Sequence, residues 1–283
     1  MFKSLISLED LHELISEDHA LVLVDCRFSL LDTEAGRKAY HISHIPGAIY
    51  AHLDEDLSGE IIPGETGRHP LPSVDKLKDV FSFWGIKPRT QVIAYDDRAG
   101  ATASRLWFLL RYMGHEAVAV LDGGWAAWLA AGQPVSAEIA QPEKSDFQPK
   151  PRPELIVDAQ FVENILQKGD YILLDAREGV RFRGEVEPID PIAGHIAGAC
   201  SLPFAENLDE NGKFLNPDQL KARFEQLLKA QAAENSISYC GSGVTACHNL
   251  LAMYHAGLGE GKLYPGSWSE WITKKERPIA LGE

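Results

Sequence analysis

Cysteine is scarce in this chain: four in 283 residues, at Cys26, Cys200, Cys240 and Cys247. They form no CxxC pair and no zinc-ligand spacing, so a cysteine-based metal site is not expected. In a chain of this length four cysteines make no disulfide framework either, and a reducing compartment is the better reading. Positive charge is also short. With 27 Lys and Arg against 41 Asp and Glu, the net charge is −14, which argues against nucleic acid or an anionic membrane surface as a general partner. An anionic substrate would need local cations or amide dipoles against that field. No apolar run approaches membrane-spanning length. The first residues meet Glu9 and Asp10 too soon to hold a signal-peptide core, and a cytoplasmic location is expected.

What is present is a soluble globular composition, 45% hydrophobic and 24% charged, with length enough for two domains that each bury a core. One stretch organises the rest: Ser238-Tyr239-Cys240-Gly241-Ser242-Gly243-Val244-Thr245-Ala246-Cys247-His248. A β-prone run stops at Cys240, a glycine-bearing loop follows, and Val244, Cys247, Leu250, Leu251 and Tyr254 then recur at helical spacing. A thiol at such a junction meets loop amides and the positive end of a helix, which favour the thiolate. Gly241 and Gly243 let the backbone wrap closely around the sulfur.

The signals occur twice. Leu21 to Arg27 reads as a buried parallel strand ending in Asp25-Cys26-Arg27, and Tyr171 to Arg177 repeats it with Asp175-Ala176-Arg177. His44-Ile45-Pro46-Gly47-Ala48 returns as His195-Ile196-Ala197-Gly198-Ala199, and Gly123-Gly124-Trp125 returns as Pro265-Gly266-Ser267-Trp268. The pattern is that of a duplicated domain, with strands alternating with helices in each half: an α/β fold with mainly parallel sheets. His44 and His195, found in both halves, read as structural, and so do the Asp-x-Arg pairs at the strand ends. Residues 133 to 153 carry five prolines and few apolar side chains, an extended linker. The expected division is 1–136, linker 137–153, and 154–283. The halves differ where chemistry is concerned: Asp96 stands at the position of Cys240, so only the second half has the thiol. The first half would supply one wall of the site or be a relic.

These paired strands, paired turns and the cysteine loop make the chain, from Val22 to Trp271, resemble a tandem-domain rhodanese-type sulfurtransferase. The resemblance implies two α/β domains of which only the second is catalytic, Cys240 as a nucleophile that carries a persulfide, and no cofactor or metal. Cys240-Gly241-Ser242-Gly243-Val244-Thr245 is similar to the 3-mercaptopyruvate branch, whereas the thiosulfate branch usually has two basic residues after the cysteine. The physical sense is that a compact dianion benefits from cations beside the sulfur, and a carboxylate several ångströms from the transferred sulfur does not need them there.

By the same resemblance, Ser242, His69 and Asp54 match a proton relay, and Gly241, Gly243, Val244 and Thr245 line the donor site with Arg181. Arg183 is expected next to Arg181, on the same side of an extended segment. A second carboxylate-clamping arginine of the family is missing, its region being Glu187-Pro188-Ile189-Asp190. The implied acceptors are cyanide, a small thiol or a thioredoxin-type protein. Three rivals stay open: thiosulfate as donor, a phosphatase, and a sulfur-binding module without turnover. The phosphatase reading lacks its Cys-x5-Arg arginine, since Ala246 stands there, and an intact Cys240 loop argues against a dead module.

Overall fold

The computed structural model describes residues 1–17, 20–166, 168–228 and 231–283. The chain divides into two compact units. The first comprises 1–59, 72–152 and 210–214; the second comprises 60–71, 153–209 and 215–283.

The first unit is built on a parallel sheet of β1 (Leu5–Ile6), β2 (Leu21–Asp25), β3 (Ile49–Tyr50), β4 (Gln91–Tyr95) and β5 (Val118–Leu121), in the order β1-β5-β4-β2-β3. Its helices are α1 (Leu8–Ser16), α2 (Ala35–Ile42), α3 (Val74–Phe83), α4 (Ala103–Tyr112) and α5 (Gly124–Ala130). Alternate strand residues face opposite sides, so Leu23, Ile93, Tyr95, Ala119 and Leu121 share one face and pack with Trp125 and Trp128 of α5. Oxygens of Ser7 and Ser73 cap α1 and α3 by accepting from Asp10 N and Lys76 N. The proline-rich stretch after α5 has no helix or strand, but residues 145–152 are strapped to this unit. Ser145 N donates to Ser82 O at 2.8 Å, and the buried Phe147 ring meets Phe81 edge-on at 5.2 Å.

The second unit carries α6 (Ala159–Ile165), β6 (Ile172–Asp175), α7 (Gly179–Phe182), β7 (His195–Ile196), β8 (Cys200–Ser201), α8 (Pro217–Leu228), β9 (Ser236–Tyr239), α9 (Ala246–His255), β10 (Lys262–Leu263), α10 (Ser267–Trp271) and β11 (Ile279–Ala280). Its parallel sheet runs β10-β9-β6-β8, and β7 and β11 form a separate antiparallel pair. Leu173, Ile237, Tyr239, Tyr264, Trp268 and Trp271 form its core with Val162 and Ile165 of α6.

The repeat seen in the sequence is a repeat in hydrogen bonding. Arg27 Nη2 bonds Asp25 Oδ2 at 2.6 Å and Ser43 O at 2.7 Å, and its guanidinium lies 4.7 Å from the Trp125 ring. Arg177 Nη2 likewise bonds Asp175 Oδ2 at 2.6 Å and Gly194 O at 2.6 Å, 4.8 Å from Trp268. The bidentate pairing satisfies both buried charges. His44 stacks on Tyr40 and bonds Tyr40 O, and His195 stacks on Phe182 and bonds Phe182 O. In each unit the histidine thus ties a turn to the preceding helix.

Candidate active site

Cys240 follows β9 directly, at the carboxyl end of a central strand, where open α/β sheets place their ligand sites. The loop 241–245 then turns into α9. The cysteine is pinned by its backbone: its N–H donates to Ser267 Oγ (3.1 Å), and its carbonyl accepts from Trp268 N (3.0 Å). Gly241 O accepts from Ser269 N at 2.9 Å. The loop closes on the sulfur, with Gly243 N donating to Sγ at 3.2 Å. Gly243 has φ +77°, and a Cβ there would lie 2.3 Å from Pro265 O, so conformation and space both demand glycine. Behind the loop, Cys247 is buried with its thiol on Gly243 O at 3.3 Å. Val244 is buried, and Thr245 begins α9 without a side-chain cap bond.

Cys26 is a different kind of thiol. Burial pushes it well above the ordinary thiol range, and the carboxylates of Asp96 and Asp25 push it further. It is an inert core group.

Ser242 Oγ and His69 Nδ1 lie 2.7 Å apart, and both residues are buried. His69 reaches this place on the segment 60–71 of the second unit. Ile62 O accepts from Glu65 N and Thr66 N to make a turn, and Arg68 N donates to Ser269 Oγ at 3.1 Å. Gly67 allows the close approach, since a Cβ there would meet Gly266 O at 2.5 Å. Asp54 belongs to the first unit, in the turn after His52, where its N–H donates to His52 Nδ1 at 3.2 Å.

Arg181 and Arg183 do not share one side of an extended segment. Residues Gly179–Phe182 form a helical turn, with Arg181 N and Phe182 N donating to Glu178 O, and Arg183 is its C-cap. Arg183 therefore points elsewhere, binding Glu185 at 2.7 Å. Arg181 stays by the loop: its Nη1 and Nη2 lie 3.9 and 3.8 Å from where a Gly241 Cβ would be. Glu187 and Asp190, which mark the missing arginine in the sequence, are partners of Arg181. Its Nε and Nη2 bond Glu187 at 3.1 and 2.7 Å, and Nη2 bonds Asp190 at 3.2 Å. Burial works against the charged Glu187, but Arg181 and the amides of Asp190 and Ile189 outweigh it and hold the carboxyl below its ordinary range.

Arg68 is the residue that sequence reasoning missed. It pairs with Asp190, and its Nη2 lies 2.8 Å from the position of a Gly241 Cβ. The signal available was its place beside His69, in a chain poor in cations.

The first unit holds a counterpart of the loop with its anion built in. Asp96 Oδ1 accepts from Arg98 N and Gly100 N, and Oδ2 from Thr102 N and Ala103 N, all at 2.8 Å. Its carbonyl accepts from Trp125 N, as that of Cys240 does from Trp268 N. A carboxylate with four amide donors leaves that nest nothing to bind and no nucleophile.

Comparison with known proteins agrees with this arrangement. The rhodanese-like domain model matches residues 7–131 and again 158–274. The chain is 47% identical over 280 residues to a protein of Pseudomonas aeruginosa named "Probable 3-mercaptopyruvate sulfurtransferase", covering 99% of this chain and 98% of that one. It is 33% identical to the thiosulfate sulfurtransferase of Rattus norvegicus, covering 97% and 93%. Among solved structures, SseA from Escherichia coli, a 3-mercaptopyruvate sulfotransferase, superposes with a TM-score of 0.81 at 29% identity over 95% of this chain and all of that one. A doubled parallel-sheet unit, one loop holding a cysteine and the other an aspartate, and a family match in each half lead to one conclusion: the chain belongs to the rhodanese family, as a sulfurtransferase with two rhodanese-like domains.

Proposed function

We propose that the protein transfers sulfur from 3-mercaptopyruvate to a thiophilic acceptor through a persulfide on Cys240. The Cys240 thiolate attacks the donor sulfur and an S–S bond forms. The S–C bond breaks, and its electron pair goes to carbon as the enolate of pyruvate. The proton lost by the donor thiol is the one the enolate gains, handed on by Ser242 and His69, with Asp54 as the third member of the relay. The Gly243 amide and the neighbouring loop amides stabilise the anionic persulfide. A thiol, cyanide or a thioredoxin-type protein then takes the outer sulfur, and the S–S electron pair returns to Cys240 Sγ. Four free cysteines suit a reducing cytoplasm. Among the described residues no helix is long and apolar enough to cross a membrane.

The observation that carries the choice of donor is the 2.7 Å pairing of Ser242 with His69 beside the nucleophile. An enolate must be protonated on carbon, whereas sulfite leaves thiosulfate as a stable anion and needs no such group. The two guanidiniums over Gly241 favour the second reading, thiosulfate as donor, because they would also hold a dianion. Steady-state kinetics with both donors separate the two. Wild-type protein should prefer 3-mercaptopyruvate. Ser242→Ala should lower its kcat about 10- to 100-fold and change the thiosulfate rate less than about threefold. A preference for thiosulfate, or an unaltered Ser242→Ala, would reject the assignment. Asp54→Asn should also slow the 3-mercaptopyruvate reaction; unchanged kinetics would remove Asp54 from the relay.

A further inference from the structure

Helices α5 and α10 begin on the same turn of backbone, with one difference in sequence. Gly124, the first residue of α5, has φ +53°, and Ser267, the first residue of α10, has φ +55°. Both lie in the left-handed region, which glycine enters freely and a residue with a side chain enters under strain. In the first unit glycine is required, since a Cβ on Gly124 would lie 2.3 Å from Asp96 O. In the second unit the same turn carries a fully buried serine, where glycine would suit the backbone better. Such strain persists where the surroundings hold it in place, often at a functional site. What the serine adds is a hydroxyl. Its Oγ accepts from Cys240 N at 3.1 Å and donates to Tyr264 O at 2.9 Å. The neighbouring bonds, from Trp268 N to Cys240 O and from Ser269 N to Gly241 O, are made by backbone and do not depend on which side chains stand there.

We infer that Ser267 is a positioning residue for sulfur transfer: its hydroxyl fixes the peptide that leads into Cys240 and so keeps Sγ on the Gly243 amide. The inference rests on Cys240 as the nucleophile and is independent of the donor. Without Oγ the buried Cys240 N–H has lost its acceptor, which is unfavourable enough to turn the peptide toward another. Turning it carries the cysteine away from the 3.2 Å contact between Sγ and Gly243 N. Gly243 is held separately, by its own positive φ and its close approach to Pro265 O, so the amide does not follow the sulfur. In the first unit the anion of the nest is a carboxylate that takes four amides at once, and a glycine at the matching turn suffices. A single sulfur with one such contact needs its backbone fixed from behind.

The test compares Ser267→Gly with Ser267→Ala. Both remove the hydroxyl, and alanine alone keeps the strain, so Ser267→Ala should have the lower denaturation midpoint of the two. Their chemistry should nevertheless be alike. In single-turnover loading, followed by intact mass with 3-mercaptopyruvate and with thiosulfate, both should lower the maximal rate about 10-fold for whichever donor loads Cys240. The half-saturating concentration should change less than about twofold, because no contact to the donor is lost. Alkylation of Cys240 by iodoacetamide, mapped by peptide mass at one pH, should slow by a similar factor with no donor present. Wild-type protein left without sulfur on Cys240 by both donors would overturn the nucleophile and the inference together. Wild-type loading of Cys240 combined with wild-type rates in Ser267→Gly would overturn the inference alone. So would a raised half-saturation at an unchanged maximal rate, or a rate that tracks stability, with Ser267→Ala slower than Ser267→Gly.

Discussion

Replacing Cys240 by serine is expected to abolish turnover while leaving the fold intact. The serine hydroxyl can still accept the Gly243 N–H that now reaches Sγ at 3.2 Å, and the backbone bonds to Ser267 and Trp268 do not involve the side chain. Stability should therefore change by less than about 1 kcal/mol. The chemistry has no such substitute. An alkoxide is not available near neutral pH, and an oxygen cannot store the transferred sulfur as a persulfide. Loss of the nucleophile from a concerted site costs at least about 10⁴-fold in kcat. Parallel measurement of turnover and of the denaturation midpoint separates the two effects. Retained activity would mean that another group carries the sulfur.

Asp96→Ala should behave in the opposite way, as a lesion of folding. Four backbone amides point at this carboxylate, which is fully buried. Removing it strands donors that no other group of the loop can satisfy. Allowing for water entering the space, the expected loss is about 3–5 kcal/mol, the range for breaking one side of a buried charge-assisted network. That is a large fraction of the stability of an ordinary domain. Asp96→Asn should recover no more than about half, because its amide nitrogen would face two N–H donors where only an acceptor fits. Urea unfolding of the full chain measures this. A wild-type midpoint for Asp96→Ala would show that the nest does not depend on its anion.

The same pair of loops shows why much of the molecule was legible in its sequence. A nest is made of consecutive backbone amides, so its spacing is written in six or seven residues, and so are the Asp-x-Arg strand ends. The strand expected over Leu21 to Arg27 is present as Leu21–Asp25, two residues shorter, because Cys26 and Arg27 already belong to the turn that Asp25 organises. Arg68 was not legible because its meaning depends on a loop folding back on residues far along the chain. His69 and Ser242 are 173 positions apart, and nothing periodic connects them. The turn 179–182 misled for a local reason. Gly179 and Val180 are poor helix formers, and the turn exists because Glu178 O accepts from both Arg181 N and Phe182 N. Glu187 and Asp190 were read as the absence of an arginine, although an acid that orients one arginine is as informative as a second arginine.

The most direct test is the intact mass of the wild-type protein after mixing with 3-mercaptopyruvate in the absence of an acceptor. A gain of one sulfur atom, mapped to Cys240, released by a small thiol and absent from Cys240→Ser, is the predicted result. Pyruvate release with no sulfur on Cys240, or sulfur found on another cysteine, would contradict it.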